Sequence, residues 1–196
     1  MPHLKFDLTK LEKLNDTRRF EDLIPEVMWD ALALRMPEVI VEIGAGTGLF
    51  AARFASMAPG ATVYAVDVAP AMVDWMAANR PEVAAGTVVP VLSEETSVPL
   101  FDEMADAVVM VNLHHELEDP HATYAEAKRL LRPSGRILVA DWAARETPKG
   151  PPLGVRATEE QLVAALMMAG FVDVVVHRSL PNHSLVTGTK PPPVDA

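Results

Sequence analysis

The stretch Val41-Glu42-Ile43-Gly44-Ala45-Gly46-Thr47-Gly48 and the residues after it, Leu49 to Met57, decide the fold. A short apolar run, Val39 to Ile43, ends in three of the chain's ten glycines, and helical periodicity follows. Glycines placed where a strand becomes a helix admit positive φ and let a ligand lie against backbone N–H groups. In open α/β sheets such a turn sits outside the carboxyl ends of the strands, where ligands bind at the switch point of strand order. The segment therefore reads as a binding turn.

The same alternation continues outward. Thr62 to Val66 reads as a second strand after the break at Pro59-Gly60, and Pro70 opens a helix that runs through Asn79. Thr87 to Leu92, Ala105 to Val111 and Arg136 to Ala140 read as further strands. Ala122 to Leu131 reads as a helix ended by Pro133-Ser134-Gly135. Thr158, with Glu160 and Gln161 behind it, marks the start of a helix that Gly170 closes. Two β runs, Phe171 to His177 and Ser184 to Thr189, flank Leu180-Pro181-Asn182. Strands alternating with helices imply a parallel sheet covered on both faces. A connection as short as the last one gives only an antiparallel partner, so one sheet edge should carry an antiparallel strand. Upstream, Leu8, Leu11, Leu14, Phe20, Leu23, Ile24, Val27 and Met28 recur at helical intervals.

Composition narrows the function. At 196 residues with 49% hydrophobic content, the chain can bury roughly 70% of its unfolded surface as one domain. The absence of Cys removes disulfide scaffolds, thiol nucleophiles and iron–sulfur sites. A net charge of −10 repels phosphate backbones, and the densest basic cluster, Lys128, Arg129, Arg132 and Arg136, suits a helix end. Nucleic acid is not the expected partner; a small molecule is. No apolar stretch reaches the ~18 residues of a membrane span, and the opening MPHLKFDLTK lacks a signal-peptide core. A soluble cytoplasmic protein is expected.

The ligand's chemistry follows from what surrounds the glycines. A dinucleotide turn requires G-x-G-x-x-G, and here Leu49 occupies the position of the third glycine. Glu42 precedes the turn and would repel a pyrophosphate while attracting an ammonium group. Asp67 ends the second strand, positioned to accept hydrogen bonds from a ribose diol. A nucleoside with an amino-acid-like end satisfies all three features.

These motifs resemble those of the class I S-adenosylmethionine-dependent methyltransferases, in particular the small bacterial branch that includes the ubiquinone/menaquinone biosynthesis methyltransferases. The likeness covers residues 37 to 189. V-E-I-G-A-G-T-G (41 to 48) is similar to the family's first motif and V-Y-A-V-D-V-A-P-A-M (63 to 72) to its second. L-S-E-E-T-S-V-P-L (92 to 100) resembles the third, with Ser93-Glu94 where Gly-Asp is common, and L-L-R-P-S-G-R-I-L-V-A-D-W (130 to 142) the loop and fifth strand. The resemblance implies a Rossmann-like α/β fold. Its seven-stranded, mostly parallel sheet has order 3-2-1-4-5-7-6, strand 7 antiparallel, with helices on both faces. It also implies S-adenosyl-L-methionine as cofactor, held by Glu42, Gly44, Gly46, Gly48, Asp67, Met72, Glu94, Glu95 and Asn112. Residues 1–36 would form a helical lid on a methyltransferase domain at 37–190, leaving 191–196 as a disordered tail.

Methyl transfer from a sulfonium needs mainly positioning and dryness, and a general base only where the acceptor arrives protonated. His114, His115 and Asp141 are the candidates for such a role, because the fourth and fifth strands end beside them. No metal site is expected, since adjacent histidines on a regular element point apart. Phe6, Phe20, Trp29, Pro151, Pro152 and Leu153 would give an apolar lid, hence an apolar or aromatic acceptor. Two other readings remain open: a non-catalytic S-adenosylmethionine- or S-adenosylhomocysteine-binding protein, and an NAD(P)-dependent oxidoreductase. The acceptor and the oligomeric state, a homodimer among the options, are not fixed by these residues.

Overall fold

The computed structural model describes residues 11–193. Seven strands form one sheet: β1 Val39–Ile43, β2 Thr62–Asp67, β3 Val88–Leu92, β4 Ala105–Val111, β5 Leu131–Trp142, β6 Val172–His177 and β7 His183–Thr189. Their order is β3-β2-β1-β4-β5-β7-β6. β1 to β5 pair in parallel, and β7 runs antiparallel to both β5 and β6. The expected fold and sheet order are both found.

Burial explains why the central strands read as unbroken apolar runs. Every residue of β4 is buried, as is all of β1 beyond Val39, whereas edge strand β6 is largely exposed. Parallel strands covered on both faces have no polar side to display. Helices α2 Pro25–Leu32, α3 Leu49–Met57 and α4 Pro70–Asn79 pack one face through Met28, Leu32, Phe50, Phe54 and Met76. Helices α6 Pro120–Leu130 and α7 Glu159–Met168 pack the other through Tyr124, Leu130, Leu162 and Leu166. Two short helices complete the set, α1 Leu11–Leu14 and α5 Pro81–Ala84.

Local signals fixed several boundaries. Helix α7 begins with a reciprocal cap: the Gln161 N–H donates to Thr158 Oγ1 at 3.2 Å and the Thr158 N–H to Gln161 Oε1 at 2.8 Å. Pro133-Ser134-Gly135 behaves differently from its reading as a helix terminator. Helix α6 passes straight into β5, and these residues form a bulge within the strand, with Ser134 at φ 65° and its N–H donating to the Lys190 carbonyl at 3.0 Å. The bulge inserts extra residues where β5 begins to pair with β4, and turn-forming residues suit it. Leu8 and Phe6 lie outside the described residues, as does the end of the expected tail, 194–196; Pro191–Pro193 carry no regular structure.

Candidate active site

The carboxyl ends of β1, β2, β4 and β5 open into a cleft of about 860 Å³, covered by residues 13–23 on one side and 149–152 on the other. That volume lies within the ~300–1,000 Å³ of small-molecule sites. The glycine turn forms its floor. Gly44 and Gly48 adopt φ of 75° and 68°, and a Cβ on Gly44 would lie 2.6 Å from the Leu113 side chain. Four of the turn's amides are not free for a ligand, contrary to expectation. The N–H groups of Gly44 and Ala45 donate to the Val66 carbonyl at 2.9 and 3.0 Å, that of Gly46 to Asp67 Oδ2 at 2.7 Å, and that of Gly48 to the Ala45 carbonyl at 2.8 Å. The fold satisfies these donors itself, so the glycines contribute close backbone approach instead.

Asp67 is therefore a structural acceptor as well as a cleft residue. Its other oxygen takes the Ala69 N–H at 2.9 Å, and burial raises its pKa despite those bonds. Glu42 is 1% exposed, its Oε2 has no partner, and burial pushes its pKa up to about 8. It lines the cleft, where burial favours its neutral form. Met72 is buried against the same wall, and Glu94 stands exposed at its rim. Glu95 Oε1 accepts the N–H groups of Glu118 and Asp119 at 2.7 and 3.0 Å, tying two loops together at the rim. Asn112 follows β4 directly at φ 54°, lines the cleft and has an unpartnered, buried Oδ1. Gly48 caps α3 outside the residues that line the cleft.

The two adjacent histidines point apart. His115 faces the cleft, and its Nδ1 lies 2.8 Å from Asp141 Oδ1. Burial disfavours the imidazolium, but the Asp141 hydrogen bond and charge outweigh it and raise the His115 pKa. Asp141, 2% exposed, sits behind His115 and also accepts the Trp142 N–H at 2.7 Å. His114 turns away instead: its Nδ1 is 2.7 Å from the Tyr124 hydroxyl, and it is not among the cleft's lining residues.

Other groups escaped the sequence. Arg80 donates Nε to the Thr47 carbonyl at 2.6 Å and also pairs with Asn15, clamping the glycine turn to the leading segment. Arg19 enters the cleft over the Phe50 ring, its Cζ 5.0 Å from the centroid. His183, at the start of β7, lies in the wall against Trp142. Asp22 bridges the cover, pairing with Lys149 at 2.6 Å and accepting from Asn182 at 2.8 Å.

The cover differs from the apolar lid expected. Phe20 packs edge-on against Phe50 and Trp29 against Phe54, both toward the core, and Leu153 does not line the cleft. Pro151 and Pro152 do, alongside Lys13, Asp16, Arg18, Glu21 and Asp22. Helical spacing identified apolar residues without revealing that they face inward. Among the described residues no His/Asp/Glu group is arranged to hold a metal ion, and no helix is long and apolar enough to cross a membrane.

Comparison with known proteins places this geometry. A family model described as a methyltransferase domain matches residues 41–139, about half of the chain, from the glycine turn into β5. The malonyl-[acyl-carrier protein] O-methyltransferase of Hahella chejuensis is 32% identical over 102 residues, 52% of this chain and 36% of that protein. A ubiquinone/menaquinone biosynthesis C-methyltransferase of Caulobacter vibrioides is 33% identical over 134 residues, 59% of this chain and 50% of that one. The chain thus spans between about a third and a half of the length of these curated relatives. The crystal structure of a SAM-dependent methyltransferase from Aquifex aeolicus superposes with a TM-score of 0.83 at 28% identity, covering 94% of this chain and 98% of that one. Sheet order, glycine turn, acid on β2 and matched family model agree, and the chain belongs to the class I S-adenosylmethionine-dependent methyltransferases.

Proposed function

We propose that this chain catalyses methyl transfer from S-adenosylmethionine to a small organic acceptor, in the cytoplasm, within the cleft described above. The cofactor supplies an electrophilic methyl group on a sulfonium. Glu42, with its orphaned buried oxygen, suits the amino-acid ammonium, and Arg19 suits the carboxylate. Asp67 retains lone pairs for the ribose diol beyond those taken by Gly46 and Ala69. Met72 and Glu94 fit the adenine side of the cleft, and Gly44 and Gly46 leave room for the backbone to approach. The leading segment and residues 149–152, joined by Asp22 and Lys149, act as the lid that excludes water.

The observation that carries the catalytic part is His115, in the same cleft as Glu42 and Asp67 and paired with Asp141 behind it. Asp141 fixes the ring so that Nε2, 3.7 Å from Glu116 Oε1, is the nitrogen that removes a proton from the acceptor. That reading favours a protonated nucleophile such as a hydroxyl or an acidic carbon. The charged cover makes a polar acceptor a better fit than a wholly apolar one. The test is formation of S-adenosylhomocysteine from S-adenosylmethionine with phenol, catechol and a β-keto ester as probes. Turnover above background that falls at least a hundredfold in His115→Ala supports the proposal. Saturable cofactor binding without turnover on any probe favours the non-catalytic reading.

A further inference from the structure

His183 is the first residue of β7, and because β7 runs antiparallel it lies at the same sheet edge as the carboxyl ends of β1, β2, β4 and β5. Its register partner is Trp142, one residue past Asp141, and the two rings stand 4.2 Å apart at 37°. His183 is 4% exposed and lines the cleft, yet neither ring nitrogen has a hydrogen-bond partner. The contrast with other histidines is plain. His114 has the Tyr124 hydroxyl, His115 has Asp141, and His177 has Thr187 Oγ1 at 2.9 Å. Leaving buried polar groups unmatched costs their full desolvation, and such an exception in a native fold calls for an explanation.

Strand order indicates what His183 is for. Following the strand order, Asp67 stands on β2, Glu42 on β1 and Asn112 just past β4, then Asp141 on β5, behind the cleft wall, and His183 on β7. The cofactor reading occupies the first three, so His183 lies beyond them, on the side of the His115–Asp141 pair. Trp142 lines the cleft as well and is itself held in place. A Cβ on Gly150 would lie 2.9 Å from its ring, and the Arg156 guanidinium sits 5.6 Å from its centroid. Packed in this way, Trp142 steadies the His183 ring.

We propose that His183 positions the methyl acceptor, exchanging a hydrogen bond with a neutral polar group of that molecule such as a hydroxyl; this rests on the methyltransferase reading above. A neutral imidazole presents one donor and one acceptor, and a hydroxyl can satisfy either. Charged groups of both signs surround it: Asp141 and Asp22 disfavour an anion there, Arg19 and Lys149 a cation. Burial keeps the ring neutral, its pKa pushed down to about 4.

The test adds phenol, benzoate or benzylamine to the chain saturated with S-adenosylhomocysteine, followed by NMR. Phenol should bind saturably and shift the His183 ring nitrogens, with benzoate and benzylamine at least tenfold weaker. His183→Phe, which preserves packing on Trp142, should weaken phenol at least tenfold, and His183→Gln, which keeps a donor and an acceptor, should retain most of the affinity. The dissociation constant for S-adenosylhomocysteine should stay within twofold in both variants. Phenol binding unchanged in His183→Phe, preference for either charged probe, or His183 resonances that do not move on adding phenol to the unsubstituted chain would overturn the proposal. The last result decides even where a variant fails to fold. Failure of S-adenosylhomocysteine to bind the unsubstituted chain would remove the cofactor reading, and this proposal with it.

Discussion

The Gly46 N–H donates to Asp67 Oδ2 at 2.7 Å, so the acid on β2 holds the glycine turn that follows β1. Asp67 closes the same arrangement on its other side through Ala69, at the start of α4. One side chain thereby shapes the floor of the cleft and faces its ligand.

Asp67→Ala should therefore reduce stability as well as binding. Hydrogen bonds to a charged group contribute about 1.5–3 kcal/mol each, and two amides lose their acceptor. Asp67→Asn retains one acceptor oxygen, so it should fold nearer to the parent while binding S-adenosylhomocysteine at least tenfold less tightly. Urea denaturation and calorimetric titration of both variants separate the two effects.

Gly44→Ala tests the turn without touching a polar group. The new Cβ would stand 2.6 Å from Leu113 at a backbone φ of 75°. Strain and overpacking each cost on the order of 1–3 kcal/mol, so a clear drop in urea midpoint is expected. A midpoint equal to the parent's would show that the turn can rearrange.

His115 and Asp141 should set the pH profile. The raised His115 pKa means that the acid limb of kcat/KM lies above about 6.5, with activity rising as the ring loses its proton. Asp141→Asn should move that limb to lower pH and lower the plateau. For stability the sign is opposite: the folded chain holds this proton more tightly, so the contribution is full below about pH 6.5 and is lost as pH rises through the folded value. Rate measurements and melting curves across pH 5 to 9 check both.

Glu42 gives a second pH signature. The folded chain keeps a proton that the unfolded chain releases near the ordinary glutamate value of 4.5, and lets it go only near about 8. Stability should thus decline as pH climbs through that window. Glu42→Gln, neutral throughout, should flatten the decline and melt higher than the parent at pH 9. Parallel melting curves for the two proteins would contradict the assignment.

How legible this was depends on the element. Leu49–Met57 and Pro70–Asn79 were readable to the residue because glycine and proline punctuate them. The antiparallel end of the sheet was readable from one short connection. Pro133–Gly135 misled because turn residues serve a bulge as well as a helix end. His114 and His115 could not be ranked, since a neighbour's direction depends on the 3-10 turn at His114–Glu116. The cover misled for a related reason: periodicity marks Phe20 and Trp29 as apolar but not which way they face. His183 was within reach, because an antiparallel final strand must start at the ligand edge, but no motif marks it.

The most direct measurement is calorimetric titration of S-adenosylhomocysteine into the chain, with NAD as control. One saturable site for S-adenosylhomocysteine and none for NAD is expected, with stability rising by about 2.7 kcal/mol at a hundredfold excess over Kd. Heats of dilution alone for S-adenosylhomocysteine, with an unshifted melting curve, would contradict the assigned cofactor site.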